Sequence, residues 1–332
     1  LKIVNLNLGV KKGIIAKTFT VFKRASALKK VKRKIRPKIA YSFGSSANIV
    51  NCLSKVRKVR TWVGLRSYMD MFDPSRISYF ARKADLIVCC SKVIEDEIRT
   101  EYRCKKAVTL YNPYDADKMM EDAEEKASLP WDDKFAVEYG AYYPIFNLIC
   151  MGREDDVKGY WHAIKAFSLV REEIFGARLI FIGDGDFGKY QKLAEDLKIS
   201  EYVYFAGLQK NPYKLLKKGS VCLLTSENEG FPNCLVEGML LGNAAVAVDC
   251  VSGPKEILED GKYGILLPDF THGVNLDPKD ITAEDRAFAE AIIALLKDPE
   301  KLKKYRELAA TRARDFSHEK YIERFMSFAN GK

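Results

Sequence analysis

Short apolar and β-branched runs alternate with longer amphipathic stretches along the first third of the chain. Residues 3–8, 39–43, 61–65, 86–90 and 107–111 read as strands, and helical periodicity fills the gaps between them. Such alternation predicts a parallel sheet with helices on both faces. The pattern breaks at Asn112-Pro113-Tyr114-Asp115, after which a polar, acidic stretch runs to Asp133. A second alternating series begins at 146–151 and continues through 178–182, 203–206, 221–224, 245–248 and 264–267. Residues 299–313 predict a helix and 319–328 one more amphipathic helix. The chain thus divides into a first α/β domain over 1–113, a linker over 114–145, a second α/β domain over 146–316 and a closing helix over 317–332.

At 332 residues, each half is long enough to bury its own core. No apolar run approaches the roughly 18 residues of a membrane span. The eight cysteines (Cys52, Cys89, Cys90, Cys104, Cys150, Cys222, Cys234, Cys250) show no CxxC spacing and mostly lie in apolar stretches, as reduced core thiols of a cytoplasmic protein do. The chain begins at Leu1 with nothing resembling a signal peptide, so it is expected to be a fragment.

Charge alters this picture more than composition does. The net charge is +10, yet residues 1–120 hold 27 Lys+Arg against 9 Asp+Glu, and the remainder 28 against 36. The first 50 residues contain 13 basic side chains and no acidic one, densest from Lys29 to Lys38. A solvated helix face and attraction to anionic lipid headgroups both account for such a patch. Nucleic acid fits less well, because no aromatic-interleaved RNA motif or helix-turn-helix signature lies nearby.

The chemically richest stretch is Ser226-Glu227-Asn228-Glu229-Gly230-Phe231-Pro232-Asn233-Cys234-Leu235-Val236-Glu237-Gly238-Met239, directly after a predicted strand. It reads as a Gly/Pro-bearing loop running into a helix. In an open α/β sheet, ligands bind at the carboxyl ends of strands, where helix N-termini offer unpaired N–H groups to phosphate. Asn233 is a good N-cap type, and a helix from about Cys234 would aim its first N–H groups at an anion. Glu229 and Glu237 can each accept hydrogen bonds from sugar hydroxyls, one on a donor hexose and one on a ribose. The plainer alternative has Glu237 solvating a helix face and Glu229 capping the helix. A second cluster, Gly152-Arg153-Glu154-Asp155-Asp156-Val157-Lys158-Gly159, also links a strand to an apolar helix. Arg153 and Lys158 can converge on a diphosphate, Arg as a planar fork and Lys as a point charge. Alone, both would more often be surface charges.

Together these stretches resemble the retaining GT-B glycosyltransferases of family 4, or glycosyl transferases group 1. Glu229 and Glu237 match the family's Glu-x7-Glu motif, Gly152-Arg153 with Lys158-Gly159 its Gly-Arg…Lys-Gly pair, Gly183-Asp184-Gly185 its turn and Gly253-Pro254-Lys255-Glu256 its Gly-Pro-x-Glu loop. The first half is matched by Pro37-Lys38-Ile39, Ala47-Asn48, the run from Ala84 to Ser91 and Asn112-Pro113. The resemblance implies an α/β, GT-B fold: two Rossmann-like domains facing a cleft, the closing helix crossing back to the first. It implies catalytic roles for Glu229, Arg153 and Lys158, and donor sugar and phosphate binding by Gly230, Phe231, Pro232, Asn233 and Cys234. Glu237 would hold the ribose, Gly207 and Leu208 would border the base, and Arg66 and Ser67 would lie on the acceptor side. The family's opening strand and Gly-rich loop are expected to be missing before Leu1. Its first-domain His has no counterpart, since His162, His272 and His318 all fall in the second half.

The activity implied is retaining transfer of a sugar from a nucleotide-diphosphate sugar to a saccharide or lipid-linked saccharide, in bacterial polysaccharide or cell-surface glycan synthesis. No metal or cofactor is expected, the location is cytoplasmic or peripheral at the inner face of the membrane, and nucleic acid is not an expected partner. A catalytically silent nucleotide-sugar-binding or scaffold protein of the same fold is the alternative, and an epimerase a more distant one. Asp184-Gly185-Asp186 imitates a DxD metal site, but it closes a strand in a family turn. Residues 183–188 only partly match the dinucleotide fingerprint, and the histidines share no zinc-like spacing with cysteines.

Overall fold

The computed structural model describes Ile3 and residues 14–131, 135–138, 141–271 and 273–331. Apart from Ile3, the strand expected over 3–8 lies outside the described residues, as does His272. The chain splits into two compact units, Leu1–Tyr111 with Glu323–Lys332, and Asn112–Ile322.

The first unit runs α1 (Ile14–Ile35), β1 (Ile39–Phe43), α2 (Ser45–Leu53), β2 (Arg60–Leu65), α3 (Pro74–Lys83), β3 (Leu86–Cys89), α4 (Lys92–Thr100) and β4 (Ala107–Thr109). Its strands form a parallel sheet in the order β1-β2-β3-β4, with Ile39 opposite Arg60, Trp62 opposite Leu86 and Ile87 opposite Ala107. Local chemistry starts the helices: Asp73 accepts from Arg76 N ahead of Pro74, and Ser91 accepts from Ile94 N. The basic run is not all on the surface. Lys32 is buried, and its Nζ donates to Asn51 O at 3.0 Å and Asn51 Oδ1 at 2.6 Å. Burial pulls its pKa down to about 8. The last residues complete this unit. The Phe325 ring lies 5.2 Å from Trp62, Arg324 donates to Thr109 O at 3.1 Å, and Arg60 donates to the carbonyls of Phe328 and Ala329.

The second unit opens with α5 (Ala116–Asp122) and the antiparallel hairpin β5 (Phe135–Glu138) and β6 (Ala141–Pro144). The main series follows: β7 (Phe146–Met151), α6 (Tyr160–Glu173), β8 (Ala177–Ile182), α7 (Gly188–Asp196), β9 (Val203–Phe205), α8 (Tyr213–Leu216), β10 (Val221–Leu224), α9 (Asn233–Leu240), β11 (Ala244–Val248), α10 (Pro254–Leu258), β12 (Ile265–Leu267), α11 (Ala283–Leu296) and α12 (Pro299–Ala313). The last helix, α13 (His318–Ala329), starts in this unit and ends in the first. Six parallel strands lie in the order β12-β11-β10-β7-β8-β9. Strand order therefore reverses between β7 and β10, which opens a crevice at their carboxyl ends. Because the sheet is covered on both faces, its strands are apolar along their length, and Trp161, Phe167, Phe181 and Phe288 fill the core. No helix among the described residues is long and apolar enough to cross a membrane.

Candidate functional site

The loops after β7 and β10 meet at the reversal point. Glu227 N donates to Val157 O at 2.9 Å, and Thr225 Oγ1 to Lys158 O at 3.0 Å. Gly159 makes this approach possible. Its φ is 57°, and a Cβ there would stand 2.2 Å from Thr225 O. So joined, the loops bring Lys158 Nζ to 2.7 Å from Glu229 Oε1, with the two side chains only 18% and 12% exposed. Ser226 Oγ donates to the same oxygen at 2.8 Å, while Oε2 accepts nothing among the described residues. Burial acts to lower the Lys158 pKa, but the charge of Glu229 and its hydrogen bond outweigh that and hold the amine above its ordinary value. A fixed ammonium thus stands at the crevice.

Two more turns close around this pair. After β8, Glu154 N donates to Asp184 O at 2.7 Å and Gly183 N to Gly207 O at 3.1 Å, which ties the Gly207–Leu208 corner to the turn. A Cβ on Gly183 would lie 1.8 Å from Gly152 O. Gly207 has φ 65°, and Leu208 is 72% exposed. After β11, Ser252 Oγ donates to Gly230 O at 2.9 Å, and Gly253, at φ 103°, packs where a Cβ would meet Pro232 Cδ at 2.4 Å. Phe231 is buried and meets Phe316 edge to face at 5.1 Å.

The start of α9 differs from the sequence expectation. Pro232, not Asn233, is its N-cap residue, and no side chain caps the helix. Asn233 is the first helical residue, and its Oδ1 accepts instead from Asn112 Nδ2 at 2.5 Å and Tyr114 Oη at 2.6 Å. The half-buried Cys234 follows; burial pushes its thiol up to about 12, so it is neutral and no anionic nucleophile. One turn on, the Glu237 carboxyl has no hydrogen-bond partner among the described residues, and burial pushes it up to about 7.

Other expected residues fall elsewhere. Arg153 does not converge with Lys158: its side chain is 75% exposed and pairs with Asp155 at 2.9 Å, while Lys158 converges with Glu229. In the first unit, Arg66 N donates to Asp70 Oδ2 at 3.2 Å and its guanidinium stands 5.7 Å from the Phe43 ring centre. Ser67 accepts from Met69 N at the start of a tight turn, Tyr68–Phe72. His162 is a packed residue, bonded through Nδ1 to Asp285 at 2.6 Å and stacked on Phe270 at 4.0 Å. Sequence reasoning gave no role to Tyr114, or to Tyr160, whose buried Oη has no partner among the described residues and would lie 2.8 Å from a Cβ on Gly152. Neither carries a local motif, and the partner of Tyr114, Asn233, is brought close only by the fold. What the site can do is clear from its groups: a fixed cation and an uncapped helix start suit a phosphate, and two carboxylates with open acceptor capacity suit hydroxyls.

A profile of the family described as glycosyl transferases group 1 matches residues 146–312. An uncharacterized glycosyltransferase of Methanocaldococcus jannaschii is 29% identical over 349 residues, covering 94% of this chain and 84% of its own. A Campylobacter jejuni protein is 28% identical over 258 residues, 77% of this chain and 62% of its own. It is named N-acetylgalactosamine-N,N'-diacetylbacillosaminyl-diphospho-undecaprenol 4-alpha-N-acetylgalactosaminyltransferase. Among solved structures, Anabaena HepE in complex with UDP-glucose superposes with a TM-score of 0.72 at 17% identity, over 93% of this chain and 82% of that one.

Proposed function

This chain belongs to the glycosyl transferases group 1 family and has the GT-B architecture, and from that premise we propose that it transfers a sugar, with retention, from a nucleotide-diphosphate donor to a saccharide or lipid-linked saccharide. The observation that carries this reading is the half-buried Lys158–Glu229 pair beside the uncapped start of α9, at the reversal between β7 and β10. Lys158 and the first N–H groups of α9 meet the diphosphate, and the exposed Arg153, on exchanging its pairing with Asp155 for the phosphate, adds a second cation. Glu229 Oε2 accepts from a hydroxyl of the donor sugar. Glu237 accepts from the ribose, and Gly207 and Leu208 border the base.

The acceptor hydroxyl oxygen attacks the anomeric carbon from the face that the nucleoside diphosphate leaves. The carbon–phosphate-oxygen bond breaks as the new glycosidic bond forms, and the hydroxyl proton passes to a departing phosphate oxygen. The protein contributes mainly by stabilising the charge on that leaving group, for which Lys158 needs no metal. The name of the Campylobacter jejuni relative supports a lipid-linked acceptor. The exposed face of α1, with Phe19, Phe22, Lys23, Lys30, Arg33 and Lys34, supports peripheral attachment to an anionic membrane from the cytoplasm.

A thermal-shift series with UDP, GDP, ADP and their sugars, run with and without a chelator, tests the reading. At a hundred times its Kd, the true donor nucleotide should stabilise the second unit by about 2.7 kcal/mol. That is roughly 5–10 °C for a domain of this size, unaffected by chelator. No shift with any nucleotide overturns the assignment.

A further inference from the structure

Asn233 opens α9 with half of its side chain already engaged. The two hydrogen bonds from Asn112 and Tyr114 use both lone pairs of its Oδ1. The Nδ2 of the same amide has no partner among the described residues, and Asn233 is exposed. Tyr114 is held firmly in turn. It is buried, its N–H donates to Phe316 O at 3.0 Å, its carbonyl accepts from His318 N at 3.0 Å, and it bridges to Ser317. Phe316 then packs edge to face on Phe231, in the loop that leads to Asn233. Residues 112–114 and 316–318, the two segments near the ends of the second unit, thus form one brace against the start of α9.

We propose that Asn112 and Tyr114 are positioning residues for the donor: by occupying the Asn233 carbonyl they fix that amide with its Nδ2 outward, as a hydrogen-bond donor to the donor phosphate. The proposal rests on the reading of the site as a nucleotide-sugar pocket. Asn112 and Tyr114 can each donate or accept, and here both donate to the carbonyl, which leaves the N–H end of the amide for an anion. Fixing it before binding also removes an ordering cost that the ligand would otherwise meet.

The test uses the full chain, with titrations of UDP, GDP and ADP and steady-state kinetics on wild type, Tyr114→Phe, Asn233→Ala and the double variant. Tyr114→Phe keeps the packed ring and loses one hydrogen bond. It should raise the nucleotide Kd and the donor KM about three- to tenfold with kcat within roughly twofold of wild type. In the Asn233→Ala background the same change should do nothing further. Equal losses in both backgrounds would make Tyr114 merely structural and overturn the proposal, as would wild-type affinity in Tyr114→Phe. A wild-type chain that binds none of the three nucleotides overturns the nucleotide-sugar reading and the proposal together.

Discussion

Glu237 and Lys158 stand in one site under opposite influences. Lys158 is half-buried beside a carboxylate that keeps it charged, whereas the half-buried Glu237 carboxyl has no hydrogen-bond partner among the described residues and its pKa rises to about 7. A carboxyl raised in the folded state contributes stability that is fully present below its unfolded value near 4.5 and is lost as pH climbs through 7. The loss amounts to at most roughly 3 kcal/mol. Ribose hydroxyls donating to Glu237 favour the ionised form, so nucleotide binding near pH 7 should expel roughly half a proton. Calorimetry in buffers of differing ionisation enthalpy measures this directly. Glu237→Gln should abolish the proton release and flatten the decline in stability between pH 4.5 and 7; persistence of both in the variant would place the proton elsewhere.

At the scale of elements, the site is a set of loops pressed together where side chains are missing. Gly159→Ala combines a left-handed backbone with a Cβ driven into Thr225 O, whereas Gly242→Ala meets a positive φ of 81° with nothing within 4 Å. We expect the first to cost about 3 kcal/mol and to weaken nucleotide binding at least tenfold, and the second only about 1 kcal/mol with binding intact. Thermal melts and titration of the two variants decide it, and equal behaviour would mean that the loop junction is not what shapes the site. The same packing explains what was legible in the sequence. Strands over 39–43, 146–151 and 221–224 agree to the residue, because each is an apolar run cut off sharply by turn-forming or polar neighbours. The strand expected over 107–111 stops at Thr109; Leu110 still donates to Cys89 O, but the turn at Asn112-Pro113 ends the ladder. Glu229 and Lys158 could be singled out because each lies in a short motif. Asn233 was misread as a cap, since the groups that take its carbonyl lie about 120 residues away in sequence. Lys32 was read as surface charge, and only the Asn51 carbonyls on α2 explain its inward turn.

Across the whole molecule, the charge is divided as the sequence divides it: the basic excess belongs to the first 120 residues and the acidic excess to the rest. Replacing Lys23, Lys30, Arg33 and Lys34 with Gln removes four exposed charges from α1 and spares the buried Lys32. At about 1 kcal/mol per charge near an anionic surface, sedimentation with phosphatidylserine-containing vesicles should fall by more than a hundredfold in partition coefficient. Binding to neutral vesicles should stay as it was. Undiminished binding to the anionic vesicles would remove membrane attachment through this helix.

The split membership of α13 bears on how the polypeptide is made. The second unit is continuous from Asn112 to Ile322, so a ribosome delivers all of it in one pass. The first unit needs Arg324 and Phe325, which come only after the 211 residues of the second unit. At cellular elongation rates of about 5–20 residues per second, its sheet waits on the order of 10–40 s with Trp62 lacking its Phe325 cover. The half that emerges before the other is therefore the half whose packing is completed last.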